Sequence, residues 1–78
     1  MTAIQRTKFE VAQTGRGWAV SREGIGLDST HPTKAAAVKR AVQLANDRQP
    51  SELTIYRQDG SVQEIRTYGT DPERMIKL

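Results

Sequence analysis

From Thr7 onward, apolar and polar positions alternate: Phe9 and Val11 fall on one side, Lys8 and Glu10 on the other. This period of two marks a half-buried strand, because successive side chains of an extended chain point to opposite faces. The run stops at Thr14-Gly15-Arg16-Gly17, where the glycines admit positive φ. It resumes in Trp18-Ala19-Val20-Ser21-Arg22, so a first hairpin is predicted over 7–22. Glu23-Gly24-Ile25-Gly26 reads as a second turn, and Leu27 to Thr30 as a short third strand ending before Pro32. His31 precedes that proline and is expected to be extended.

After Pro32 the period lengthens. Thr33 is placed to cap a helix, since its hydroxyl can accept from a backbone N–H of the first turn. The helix is expected from Lys34 to about Arg48. Ala37, Val38, Ala41, Val42 and Ala45 share one stripe, with Leu44 at its edge, while Lys39, Arg40, Gln43, Asn46 and Asp47 lie opposite. A stripe made mostly of alanine allows close approach to a sheet. Pro50 ends the element.

Leu53 to Arg57 is the next strand and Val62 to Tyr68 the one that returns from it, with Gln58-Asp59-Gly60-Ser61 as a hairpin signal between them. Two registers are open. A two-residue loop at Asp59-Gly60 pairs Arg57 with Val62 and puts Leu53 and Ile55 on one face with Glu64 and Arg66. A three-residue loop, Gln58 to Gly60 with Gly60 left-handed, aligns them with Gln63 and Ile65 instead. The second register makes the more apolar core and is the one expected. The expected architecture is α+β: a small antiparallel sheet of four to five strands in two hairpins, with one amphipathic helix on one face, in the order β-β-(β)-α-β-β. Residues 1–6 form a flexible lead-in, 7–69 the single domain, and 70–78 a tail. Asp71 and Pro72 could open one helical turn there, and Met75, Ile76 and Leu78 are apolar enough to dock on the domain or on a neighbour.

Taken in order, these segments form a pattern: Gly-Trp-Ala-Val at 17–20, Arg22-Glu23-Gly24, and Thr-Lys-Ala-x-Ala at 33–37. They continue with Glu52-Leu53-Thr54-Ile55, Asp59-Gly60-Ser61-Val62-Gln63-Glu64, and Arg66-Thr67-Tyr68-Gly69 with Asp71-Pro72. The pattern resembles the family called domain of unknown function 2188 over roughly residues 8 to 72. The resemblance implies a compact α+β domain of bacteria and their phages. It implies no activity, cofactor or functional residues.

Composition narrows the function classes. At 78 residues, with 36% hydrophobic and 27% charged residues, the chain is one small domain with a thin core. It has no cysteine, so neither a disulfide nor a thiolate is available, which fits a reducing cytoplasm. No apolar run reaches membrane-spanning length, and residues 1–8 lack the apolar stretch of a signal peptide, so the expected location is cytoplasmic.

Catalytic chemistry finds little footing. His31 is the one histidine and is expected as an exposed turn residue with no base-orienting partner. Ser21, Ser29, Ser51 and Ser61 lack the context of a nucleophile elbow. One histidine and scattered carboxylates match no zinc or calcium loop, and Gly24-Ile25-Gly26 is not a phosphate loop. No catalytic, metal or cofactor-binding residue is assigned, no cofactor or small-molecule substrate is implied, and the chain is expected not to be an enzyme.

Two kinds of partner remain. The first is another protein, or a second copy in a homodimer, met through outer strands with unpaired backbone groups, through Tyr56, and through the apolar tail residues Met75, Ile76 and Leu78. The alternative is nucleic acid. Twelve Lys and Arg against nine Asp and Glu leave a formal charge of +3. If Phe9, Trp18 or Val20, Leu53 and Ile65 face the helix, the open face of the sheet carries Lys8, Glu10 and Tyr56, with Arg16 and Arg22 as further members. Lys34, Lys39 and Arg40 on the helix and Arg57 and Arg66 on the second hairpin complete the set of phosphate-neutralising candidates. Acidic residues interrupt every basic run.

Overall fold

The computed structural model describes residues 6–69. Five strands and one helix follow one another as β1 (Thr7–Thr14), β2 (Gly17–Arg22), β3 (Gly26–His31), α1 (Lys34–Asp47), β4 (Ser51–Tyr56) and β5 (Val62–Tyr68). The strands form one sheet in the order β3-β2-β1-β4-β5. The α+β class and the order of elements are as the sequence implies.

The sheet is mixed rather than wholly antiparallel. β1 pairs antiparallel with β2, β2 with β3, and β4 with β5, but β1 and β4 run parallel, with Phe9 beside Leu53 and Val11 beside Ile55. The helix causes this. It carries the chain back across one face, so the strand that follows must run the same way as the strand before it. β4 enters beside β1, in the middle of the sheet, and β3 and β5 are left as the two edges.

Phe9, Val11, Val20, Leu53 and Ile55 form the sheet's half of the core and are at most 2% exposed. Each such side chain contributes roughly 1.5–3 kcal/mol on burial. The helix closes over them. Ala37, Ala41 and Ala45, four residues apart, are wholly buried, while Val38, Val42 and Leu44 flank them and are half-buried. Alanines at the contact bring the helix axis close to the strands. Thr33 has extended geometry (φ −129°, ψ 154°), and its Oγ1 accepts from the Ala36 N–H at 3.2 Å, which satisfies one unpaired donor of the first turn. The outer face, Lys39, Arg40, Gln43, Asn46 and Asp47, is exposed as expected.

The helix packs on β1, β2 and β4 and less on β3; β5 is not among the strands it covers. Here the expected register fails. The connecting loop is the three-residue one: Gly60 takes φ +93°, its N–H donates to the Arg57 carbonyl at 3.0 Å, and the Arg57 N–H donates to the Ser61 carbonyl at 2.7 Å. The ladder then shifts, with Tyr56 opposite Val62 but Ile55 opposite Glu64. Gln63 is the extra, bulged residue, and everything after it changes face. Leu53 stands opposite Arg66 and Thr54 opposite Ile65, so Glu64 and Arg66 lie on the helix side and Ile65 on the open side. Ile65 is 56% exposed and does not join the core.

Candidate functional site

The two faces of the sheet differ from expectation in their charge. On the open face Lys8 stands beside Glu52, and Glu10 lies between Ser21 and Thr54. The Tyr56 hydroxyl donates to Glu10 Oε2 at 3.2 Å, and partial burial together with the nearby carboxylate holds the phenol above its ordinary pKa. Ala12, Ala19, Thr30, Thr54 and Thr67 occupy most of the rest. Arg22 is not part of this face. It pairs with Phe9 and shares the parity of Trp18 and Val20, which places it on the helix side. Arg16 projects from the β1–β2 turn, outside the ladder.

The remaining cations are dispersed as well. Arg40 Nε sits 3.1 Å from Asp28 Oδ2, and this contact holds the Asp28 carboxyl below the usual carboxylate range. Arg57 folds back on its own hairpin, donating to Ser61 Oγ at 3.2 Å and to the Val62 carbonyl at 2.8 Å. Arg66 Nε lies 2.9 Å from Glu64 Oε2, and this hydrogen bond holds the Glu64 carboxyl below its ordinary pKa. Lys34 Nζ stands 5.1 Å from the centre of the Trp18 ring and donates to Gln63 Oε1. Lys39 is exposed on the helix. The eight basic positions thus lie on both faces, in two turns and along the helix, and of them Lys34, Lys39 and Arg66 meet around one groove.

What the fold does bring together is the outer margin of the sheet at β5. Because the helix stops short of it, a groove of about 490 Å³ runs between α1 and β5, with Lys34, Val38 and Lys39 on one wall and Ile55, Glu64 and Arg66 on the other. On the opposite face of the same strand, Val62 and Ile65 are 46% and 56% exposed. No strand lies beyond β5 among the described residues. The sequence places Val62 in the returning strand and Ile65 on the helix face, and it marks neither as a contact residue. The last strand of a final hairpin is nevertheless the natural candidate for an edge, and that signal was available. Met75, Ile76 and Leu78 lie outside the described residues.

His31 is also placed differently. It is the last residue of β3, half-buried, with Nε2 2.8 Å from Ser29 Oγ. Residues two apart on a strand share a face, so the contact follows from β geometry. The recess beside His31 is lined by Thr14, Arg16, Gly17, Thr30 and Pro32 and does not include Ser29. Among the described residues no group of three or more His, Cys, Asp or Glu is placed to hold a metal ion, and no helix is long and apolar enough to cross a membrane.

Comparison with known proteins adds kinship without a role. The chain is 33% identical over 52 residues to the uncharacterized protein YycD of Bacillus subtilis (strain 168), a match covering 67% of this chain and 79% of that protein. No solved structure matches it. The family model described as "uncharacterized protein conserved in bacteria (DUF2188)" matches residues 9–68, from the core residue Phe9 to the end of β5, and the chain belongs to that family.

Proposed function

We propose that this chain is a non-catalytic protein-binding module whose recognition element is the outer strand β5. The observation that carries the reading is an edge with exposed apolar side chains: a seven-residue strand at the margin of the sheet, touched by the helix only through Lys34 and Gln63, with Val62 and Ile65 turned to solvent. Edge backbone groups can add a strand from another chain, and the side chains on either face then set specificity. The groove beside Glu64 and Arg66 supplies a second, polar wall to the same margin.

The placement of the cations favours this reading over nucleic-acid binding. A phosphate-tracking surface needs its Lys and Arg on one face. Here Arg40 and Arg66 are paired with carboxylates, Arg57 with its own turn, and Lys8 stands beside Glu52.

The test is site-specific cross-linking in bacterial cells, with a photoreactive amino acid at position 65, at position 43 on the outer helix face, and at position 19 on the open face. Position 65 should capture a polypeptide, whether its own chain or another, and Thr67→Pro, which removes an edge N–H, should abolish the capture. Equal yields at all three positions, or capture that survives Thr67→Pro, would overturn the reading.

A further inference from the structure

The side chains of β5 also indicate what fits beside it. The strand reads Val62-Gln63-Glu64-Ile65-Arg66-Thr67-Tyr68. Suppose two copies of one edge strand pair antiparallel about a two-fold axis perpendicular to the sheet. The axis must then set some residue opposite its own counterpart, because the pleat allows only residues of the same face to stand opposite each other. Near the middle of β5 the axis has three positions to choose from. At Glu64 two carboxylates face each other. At Arg66 two guanidinium groups do. At Ile65, Glu64 of each copy faces Arg66 of the other. Opposite charges across a strand pair stabilise it, and like charges directly opposite are destabilising.

Resting on the reading of β5 as a protein-binding edge, we propose that its partner is a second copy of this chain, paired antiparallel through β5 about an axis at Ile65. The Ile65 side chains, each 56% exposed alone, meet on the open face. On the helix face, Glu64 and Arg66 already lie side by side within one chain, with Nε 2.9 Å from Oε2 and both side chains about 40% exposed. Two such pairs form a ring of four alternating charges. The two grooves beside α1 then join across the axis, and the two sheets become one. The bulge at Gln63 ends the regular stretch, which keeps the shared ladder short and the association weak. The opposite margin is less suited. β3 carries a bulge of its own at the Val20/Ser21 step, and its Asp28 is engaged by Arg40.

The experiment is sedimentation of the full chain up to about 1 mM, the range in which a short edge contact associates. It compares the unaltered chain, Glu64→Arg, Arg66→Glu, and an equimolar mixture of the two variants. Intrinsic fluorescence of Trp18 and far-ultraviolet dichroism check that each variant is folded. The unaltered chain should rise from 8.7 kDa towards twice that mass. Each charge reversal should weaken association about tenfold or more, and the mixture, in which every Glu again faces an Arg, should restore it. Ile65→Cys gives a second measurement, since the chain has no cysteine of its own. On the axis it should oxidise to a covalent dimer faster than Thr67→Cys, two residues away. A chain that stays at 8.7 kDa at the highest concentration, or a mixture no stronger than its components, would overturn the proposal. If position 65 then cross-links to a different polypeptide, only the second copy is refuted and the binding module stands. If it cross-links to nothing, both readings fall.

Discussion

The hydroxyl of Ser51 donates a 2.6 Å hydrogen bond to the carbonyl oxygen of Ala45, and both residues are wholly buried. Ser51 begins the strand that inserts beside β1, and Ala45 lies in the last turn of the helix, where carbonyls lack intrahelical partners. The contact ties the end of the helix to the start of β4. The Arg48 N–H also reaches the Ala45 carbonyl, at 3.3 Å, so loss of the hydroxyl does not leave that oxygen bare. Ser51→Ala is therefore expected to cost about 1 kcal/mol, the net worth of one intramolecular hydrogen bond. Ser51→Val, which adds bulk at a site with 0% exposure, is expected to cost more. Urea midpoints at constant slope measure both.

Gly17 is set by space rather than by backbone angle. It opens β2 opposite Thr14, and a β-carbon added there would run into the carbonyl oxygen of His31. That oxygen belongs to backbone at the end of β3, so relief requires the β2–β3 pair to part. Gly17→Ala is expected to destabilise by about 1–3 kcal/mol, as overpacking does. Gly15→Ala tests a different cause, since space is open around it and only its φ of +49° opposes a side chain. In thermal unfolding Gly17→Ala should lose more than Gly15→Ala. The reverse order would show that strand contact does not fix this position.

The same local reading explains how much of the fold was legible. The period of two at Phe9 and Val11, the alanine stripe at 37, 41 and 45, and the cap at Thr33 each report a neighbour within a few residues, and all appear in place. The three-residue loop at Gly60 was legible for the same reason. The bulge at Gln63 was not. Nothing in the local pattern distinguishes a bulged glutamine from a paired one, and the core favoured the wrong face for Ile65 because apolar residues were assumed to point inward. One extra residue inverts all that follows it. Arg22 is another case: it shares the parity of Trp18 and Val20, so the alternation along β2 itself puts it on the helix side. The β5 margin follows only from the strand order, which puts β4 between β1 and β5.

Stability should fall in acid, and the sign follows from the carboxylates. Asp28, held low by Arg40, Glu64, held low by Arg66, and Asp59, held low by the Ser61 N–H and hydroxyl, all bind a proton less readily in the folded chain than in the unfolded one. Above their ordinary values of about 4 the contribution is fully present. As pH falls through the lowered folded values, the unfolded state takes up protons first and the contribution is lost. Urea midpoints should be flat from about pH 7 to 5 and drop below about 4. Asp28→Asn should lower the plateau slightly and flatten part of the drop. An unchanged acid profile in that variant would remove Asp28 from the account.

Lys34 Nζ lies 5.1 Å from the centre of the ring of Trp18, the only tryptophan, which makes the contact optically addressable. A cation over an indole face contributes about 0.5–1 kcal/mol at exposed sites. Lys34→Met keeps the aliphatic length and removes the charge, so it should lower stability by no more than that and change the Trp18 emission at neutral pH. It also releases Gln63, the bulged residue that Lys34 contacts. If the emission and the amide resonances of β5 both stay unchanged, the ammonium is not held between ring and bulge in solution.

Dispersed cations make a prediction about nucleic acid. Binding through phosphates releases counterions in proportion to the Lys and Arg engaged, and affinity then falls steeply with salt. Lys8, Arg16, Arg22, Lys34, Lys39, Arg40, Arg57 and Arg66 do not share a face, and Glu10 and Glu52 occupy the open surface where a backbone would lie. Titration of single-stranded and duplex DNA and of RNA at about 50 mM salt should therefore give only weak binding, in the non-specific range of about 10⁻⁴ M or above. The salt slope should be shallow. Lys8→Ala and Arg57→Ala should not steepen or abolish it, because neither sits in a shared patch. Micromolar binding with a steep slope that falls by one unit for each of these substitutions would instead require the surface to rearrange on contact. The order of the elements would survive that result, but the β5 margin would no longer be the first surface to test.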